Sequence, residues 1–176
     1  MDELKKRIQD SFSNVEYPGD SNLSNSNEGD EPFLLEEEFK GRDDWRTLSP
    51  DFIDQAPDGF ASALSFFSAE AFRFYLPAYI LADLAGQLNQ TDLVFYLTHG
   101  LTDATKDVRI NPKRYNDFTW FEYVSERFSV FTKEEAQAII EFLEHKLQLT
   151  QIDFERVLIN EALVNYWVEV ARLHPA

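Results

Sequence analysis

Residues 68–84 read Ser68-Ala69-Glu70-Ala71-Phe72-Arg73-Phe74-Tyr75-Leu76-Pro77-Ala78-Tyr79-Ile80-Leu81-Ala82-Asp83-Leu84, and the fold class follows from them. Phe72, Leu76, Ile80 and Leu84 recur every four residues, with Leu88 a turn further and Ala71, Tyr75 and Tyr79 alongside. This spacing matches one face of an α-helix and not the alternation of a strand. Phe74 and Leu81 lie off that stripe, so the helix is apolar nearly all round and belongs in the middle of a core. Ser68 supplies an N-cap oxygen. Pro77 interrupts the pattern: it lacks an N–H and its ring crowds the preceding turn. The helix is therefore expected to bend near Arg73–Pro77 or to split in two.

Toward the N-terminus, Leu4, Ile8 and Phe12 form a narrow stripe on a helix expected to stop at Tyr17-Pro18-Gly19-Asp20, where Pro18-Gly19 suits a type II turn. A polar run around Ser21–Asn27 predicts a long mobile acidic loop at about 19–31. A short helix is expected over Pro32–Lys40, with Phe33, Leu34 and Phe39 inward, the glutamates outward and Gly41 as its cap. Ser49-Pro50 opens another helix with a cap and a first-turn proline. Toward the C-terminus, helices are expected after Thr91-Asp92, over Thr119–Phe128, and after Thr132, where Thr132 and Glu135 form a capping box ahead of Ala136, Ile139, Ile140, Leu143 and Leu147. Residues 102–117 read as a loop. The last helix, from Thr150 to about Arg172, is apolar on most faces and keeps a polar strip of Glu161, Asn165, Glu169 and Arg172.

No useful segment alternates with period two, and no repeat is present. The expected fold is all-α: one domain over residues 1–176, a compact irregular bundle of about six to eight helices around the proline-bent one. The most apolar stretch, Phe74–Ala82, is about half the length a spanning helix needs. The basic N-terminus is not followed by an apolar region, so a cytoplasmic protein without membrane association is expected.

The chain has a net charge of −16 and no cysteine. Disulfides, thiolate metal sites and cysteine nucleophiles are thereby excluded. Nucleic-acid binding is not expected, because phosphate contacts need clustered Lys and Arg. Residues 1–60 hold 16 acidic and 6 basic side chains. Within them, residues 16–38 carry eight acids and no base. This window is either a solvated face or a docking surface for a basic protein. In the second reading Glu36, Glu37 and Glu38 supply the charge, and Tyr17, Phe33 and Leu34 the apolar anchors. The one locally basic stretch in the later chain, Lys106, Arg109, Lys113 and Arg114, is a solvated loop or a partner for the acidic window.

Catalytic and metal chemistry find little footing. His99 closes a helix, His145 shares a face with Glu141 and Glu144, and His174 lies near the end of the chain. No second imidazole stands at helical spacing from His99 or His145, so no metal site is expected at either. Phosphate-loop and nucleophile-elbow motifs are absent, and no cofactor is expected.

Several pieces together resemble an uncharacterised family of small bacterial proteins. They are Ile8 and Phe12 leading to Tyr17-Pro18-Gly19-Asp20; Phe39-Lys40-Gly41 with Trp45 and Leu48; the run from Leu64 to Tyr79 with its Phe74-Tyr75-Leu76-Pro77-Ala78-Tyr79 core; and Phe128, Phe131, Thr132 and Glu135 with the helix that follows. The resemblance implies a bacterial origin and assigns no catalytic residue. The favoured function is a non-enzymatic, acidic interaction module, immunity-like or regulatory, for a basic protein. The alternative is a ligand-binding or enzymatic protein whose aromatic pocket is formed by Trp45, Tyr75, Tyr79 and Trp120 near the bent helix.

Overall fold

The computed structural model describes residues 1–111 and 117–173. Its residues gather into two compact units, Met1–Leu93 and Val94–Ala176. Both are built from helices, as the periodicity implies. Among the described residues there is no strand, only two isolated bridges, Ser24 with Phe67 and Arg109 with Thr119.

The first unit opens with α1 (Asp2–Ser11), which buries Ile8. It stops well before Pro18, contrary to expectation. Phe12 ends it as a buried cap, and the Ser13 hydroxyl donates to the Asp10 carbonyl at 2.8 Å. Such a serine draws the backbone out of the helix by offering it a local bond. Nor do Pro18 and Gly19 form a type II turn. Gly19 has φ +86° and ψ 152°, whereas that turn needs ψ near 0° at its third residue. Gly19 leads instead into a 3-10 turn at Asp20–Asn22. The chain then runs as a strap: Leu23 is buried, the Asn25 N–H donates to the Phe66 carbonyl at 2.8 Å, and the Ser68 N–H donates to the Leu23 carbonyl at 2.9 Å.

Next come α2 (Asp30–Phe39), a 3-10 turn at Trp45–Thr47, α3 (Pro50–Gln55), α4 (Ala63–Phe66) and α5 (Ala69–Leu84). The Ser49 hydroxyl accepts from the Phe52 N–H, as its position before Pro50 implies. The Ser68 hydroxyl does two jobs: it caps α5 by accepting from the Ala71 N–H and donates to the Asn22 carbonyl at 2.7 Å. α5 contains Pro77 without splitting, and Phe72, Leu76, Ile80 and Leu84 are all buried. It ends short of Leu88. Gly86, at φ +68°, donates to Asp83 and Gln87 donates to Ala82, the pair of bonds that closes a helix through a left-handed glycine.

The centre of this unit is a trio of buried rings. Phe39, Phe67 and Tyr75 stand 4.9–5.0 Å apart pairwise. Each ring contributes about 1.5–3 kcal/mol by leaving water, and each pair about 0.5–1.5 kcal/mol more through its geometry. Asp54 on α3 is 5% exposed. It accepts the N–H groups of Asn89, Gln90 and Thr91 at 2.8–3.0 Å, fixing the chain that follows α5.

The second unit holds α6 (Leu93–Thr98), which begins at the boundary, then α7 (Trp120–Phe128), α8 (Lys133–Leu149), α9 (Asp153–Ala162), a π-helical turn at Leu163–Trp167 and α10 (Val168–Leu173). α8 carries the capping box read from Thr132 and Glu135, and a second box joins Thr119 to Glu122 at the start of α7. Trp167 is the anchor of this unit. It stacks on Phe128 at 4.9 Å and donates its indole N–H to the Leu97 carbonyl at 2.9 Å. The expected polar strip of the last helix holds the 101–103 turn. The Asn165 amide donates to the Leu101 carbonyl, and Glu161 accepts the Asp103 N–H. Gly100, at φ +85°, has room for no side chain, since a Cβ there would stand 2.8 Å from Val124 and 3.2 Å from the Trp120 carbonyl oxygen.

Candidate functional site

The helical phase of α2 decides which of its residues meet water. Pro32, Leu35 and Phe39 are buried, a spacing of three and four that turns one side onto the aromatic trio. Phe33 is therefore not inward, as expected, but 60% exposed, and Leu34 is only half-buried. Among Phe33, Leu34 and Leu35 the core selects Leu35, the residue in phase with Phe39. The outer side presents Asp30, Phe33, Glu36 and Glu37, with Lys40 at its end. An exposed ring thus stands among three carboxylates.

The glutamates occupy the last turn of α2, which has no basic residue. That is the negative end of the helix, where carboxylates are disfavoured by about 0.3–1 kcal/mol each. Glu38 has a structural reason to be there: its carboxylate accepts the Asp58 N–H at 2.9 Å. Among the described residues no comparable side-chain bond to the fold accounts for Glu36 or Glu37. Glu38 borders an open groove of about 450 Å³, lined also by Phe52, Gln55, Ala56, Asp58 and Gly59.

Tyr17 is held apart from this face. Its hydroxyl donates to Asp20 at 2.5 Å, and its ring meets the edge of Phe74 at 5.4 Å. Asp20 also accepts the Gly41 N–H at 2.7 Å. Burial and the neighbouring Asp20 carboxylate push the Tyr17 hydroxyl up to about 12. The Tyr17 and Gly41 hydrogen bonds hold the Asp20 carboxyl below its ordinary range. The six anchors read from the sequence thus separate. Phe33, Glu36 and Glu37 share the outer face, Leu34 lies half-buried between faces, and Tyr17 and Glu38 bond within the fold. Asp30, which completes the face, is legible only once the helix is seen to begin at residue 30.

Of the residues expected to form the alternative aromatic pocket, Trp45, Tyr75 and Tyr79 belong to the first unit. Trp45 lines a cleft of about 170 Å³ with Leu48, Ile53, Ala78, Leu81 and Ala82, but Tyr75 and Tyr79 do not. Trp120 belongs to the other unit. Tyr75 donates its hydroxyl to the Arg42 carbonyl at 2.9 Å. The indole N–H of Trp45 is buried without a hydrogen-bond partner among the described residues.

Among the described residues no group of three or more His, Asp or Glu could hold a metal ion. His99 packs against Phe95 at 4.8 Å and Trp120 at 4.7 Å, and burial holds its imidazole below the usual histidine range. The His145 Nε2 is buried without a hydrogen-bond partner among the described residues. Lys106 is bound to Asp103 at 2.6 Å and Arg109 to Asp117 at 2.9 Å, so these two cations pair locally. Lys113, Arg114 and His174 lie outside the described residues. No described helix is long and apolar enough to cross a membrane.

No curated protein and no solved structure matches this chain. A family model does match, over residues 1–171, so the chain belongs to a family of unknown function, DUF6714.

Proposed function

We propose that the protein is a non-enzymatic interaction module of the bacterial cytoplasm that captures a basic protein on the outer face of α2. One observation carries the reading. Glu36 and Glu37 sit at the wrong end of a helix dipole beside a 60% exposed phenylalanine, an arrangement that local stability does not reward. A basic partner supplies the missing term. Carboxylates speed the encounter with a cationic surface, and Phe33 provides the apolar contact that exposed ion pairs, at about 0–1 kcal/mol each, do not. The adjoining groove, with Glu38 and Asp58 in its lining, suits an entering Lys or Arg side chain. The Trp45 cleft favours the alternative less. At about 170 Å³ it admits little more than a benzene-sized molecule.

The test uses the full chain on a resin and a lysate of the native host, eluted with rising salt. The wild type should retain a basic protein that leaves as salt screens the contact. The variant Phe33→Ser, Glu36→Lys, Glu37→Lys should not retain it. This variant spares Glu38, so the bond to Asp58 survives. Retention of the same basic protein by both would overturn the reading.

A further inference from the structure

The loop after α3 returns along α2 and is tied to it at both ends. The Asp58 N–H donates to the Glu38 carboxylate at 2.9 Å, and the Ser62 hydroxyl donates to the Glu31 carboxylate. Glu31 and Glu38 stand two turns apart on α2, about 10 Å along its axis. The chain from Asp58 to Ser62 can cover the same distance. The 58–62 loop therefore lies beside α2 and runs antiparallel to it. Its backbone is fixed on the other side too, because the Ala61 N–H donates to the Gln55 carbonyl of α3 at 3.2 Å. Phe60, in the middle of this loop, is 57% exposed. Among the described residues of the first unit, it joins Met1 and Phe33 as the large apolar side chains left more than half in water.

By helical phase the outer surface of α2 passes from Phe33 through Glu37 and Asp30 to Leu34, and next comes the Glu31–Glu38 row along which the loop lies. Phe33 and Phe60 thus flank an acidic strip. Among the described residues no cation pairs with Asp30, Glu37 or Asp58. Arg42 is engaged elsewhere: its Nε donates to the Glu38 carbonyl at 2.6 Å, and its guanidinium lies 4.1 Å from the centre of the Phe52 ring.

We propose, resting on the assignment of α2 as the capture face, that Phe60 is a second apolar anchor of that same site, and that the occupant is a cationic segment whose lysines or arginines are interleaved with apolar side chains. The chemistry of the strip decides between occupants. An apolar segment would cover carboxylates that have no counter-ion, which is costly. A segment of charge alone would leave both rings in water and rely on exposed ion pairs, which contribute little. A mixed segment meets both needs, with its cations on Asp30, Glu37 and Asp58 and its apolar side chains on Phe33, Leu34 and Phe60. Charge sets the class of partner and the speed of encounter. Phe60 selects, among cationic segments, those that also carry apolar groups.

Fluorescence anisotropy on the full chain tests this with two labelled peptides of equal length and equal lysine content, one with serine and one with leucine between the lysines, in about 0.05 M salt. The leucine peptide should bind about tenfold or more tighter than the serine peptide. Phe60→Ser should remove most of that advantage and leave the serine peptide unmoved, with an unchanged circular dichroism spectrum, because the ring lies largely in water. Phe60→Leu should retain it. Equal binding of the two peptides to the wild type, or no binding of the leucine peptide, would overturn the proposal. So would a Phe60→Ser variant that binds the leucine peptide as the wild type does. The Phe33→Ser, Glu36→Lys, Glu37→Lys variant separates the two levels. If it loses both peptides while Phe60→Ser loses neither, the capture face stands and Phe60 is struck from it. If it binds both as the wild type does, the capture face falls and this proposal with it.

Discussion

Asp54 shows how one buried carboxylate can organise distant backbone. Burial alone would raise its pKa. The N–H groups of Asn89, Thr91 and Gln90 pull the other way and leave the carboxyl below its ordinary range. A group with a depressed folded pKa contributes stability that is present above its unfolded value, near about 3.9, and is lost as pH falls through the folded one. Asp54→Asn removes the charge and turns an NH₂ toward three donors. It should cost about 2–4 kcal/mol near neutral pH, with the gap to wild type closing below about pH 4. Urea titrations across that range measure both effects. A variant as stable as wild type at pH 7 would mean that the three N–H groups have another partner. The sequence did not expose this role, because the partners lie 35–37 residues downstream and no local pattern links them. Ser49, Ser68 and Thr132 were legible because a cap acts within three residues of itself.

Elements were readable where one face alone was apolar. α8 follows its stripe, with Ala136, Ile139, Ile140 and Leu143 all buried. α2 was misphased because Phe33, Leu34 and Leu35 are adjacent and equally apolar, and only the trio of Phe39, Phe67 and Tyr75 selects among them. The π-helical turn had no signature either, since it widens an otherwise regular apolar run between α9 and α10. α2 carries its own prediction. Replacing Glu36 and Glu37 together by Lys puts cations at the negative end of the helix and should gain about 0.3–1 kcal/mol per site. For a chain of this size that is a rise in Tm of a few degrees, about 2–4 °C per kcal/mol. Differential scanning calorimetry reads it directly. A fall in Tm would show that the carboxylates serve the fold and not a partner.

At the scale of the whole molecule, the charge count suggests a class of partner and does not say where one would bind. The net charge of −16 pointed toward basic proteins, but half of the six anchors read from the sequence proved buried in part or bonded within the chain. Capture on α2, as proposed, should weaken as salt rises.

The strap at residues 22–25 has a consequence for how the chain tolerates being cut. Downstream of the buried Leu23, the residues Asn27, Glu28 and Gly29 are exposed, so a glutamate-specific protease should reach the bond after Glu28. The released N-terminal piece would still hold Ile8, Phe12 and Leu23 in the core of the first unit, with the backbone bonds to Phe66 and Ser68 intact. The nicked protein should therefore elute as one species with an unchanged helical spectrum, and its two fragments should part only in denaturant. Covalent continuity at residue 28 would then be dispensable: the first unit is reconstituted from two peptides, and that joint becomes a natural place to split the protein.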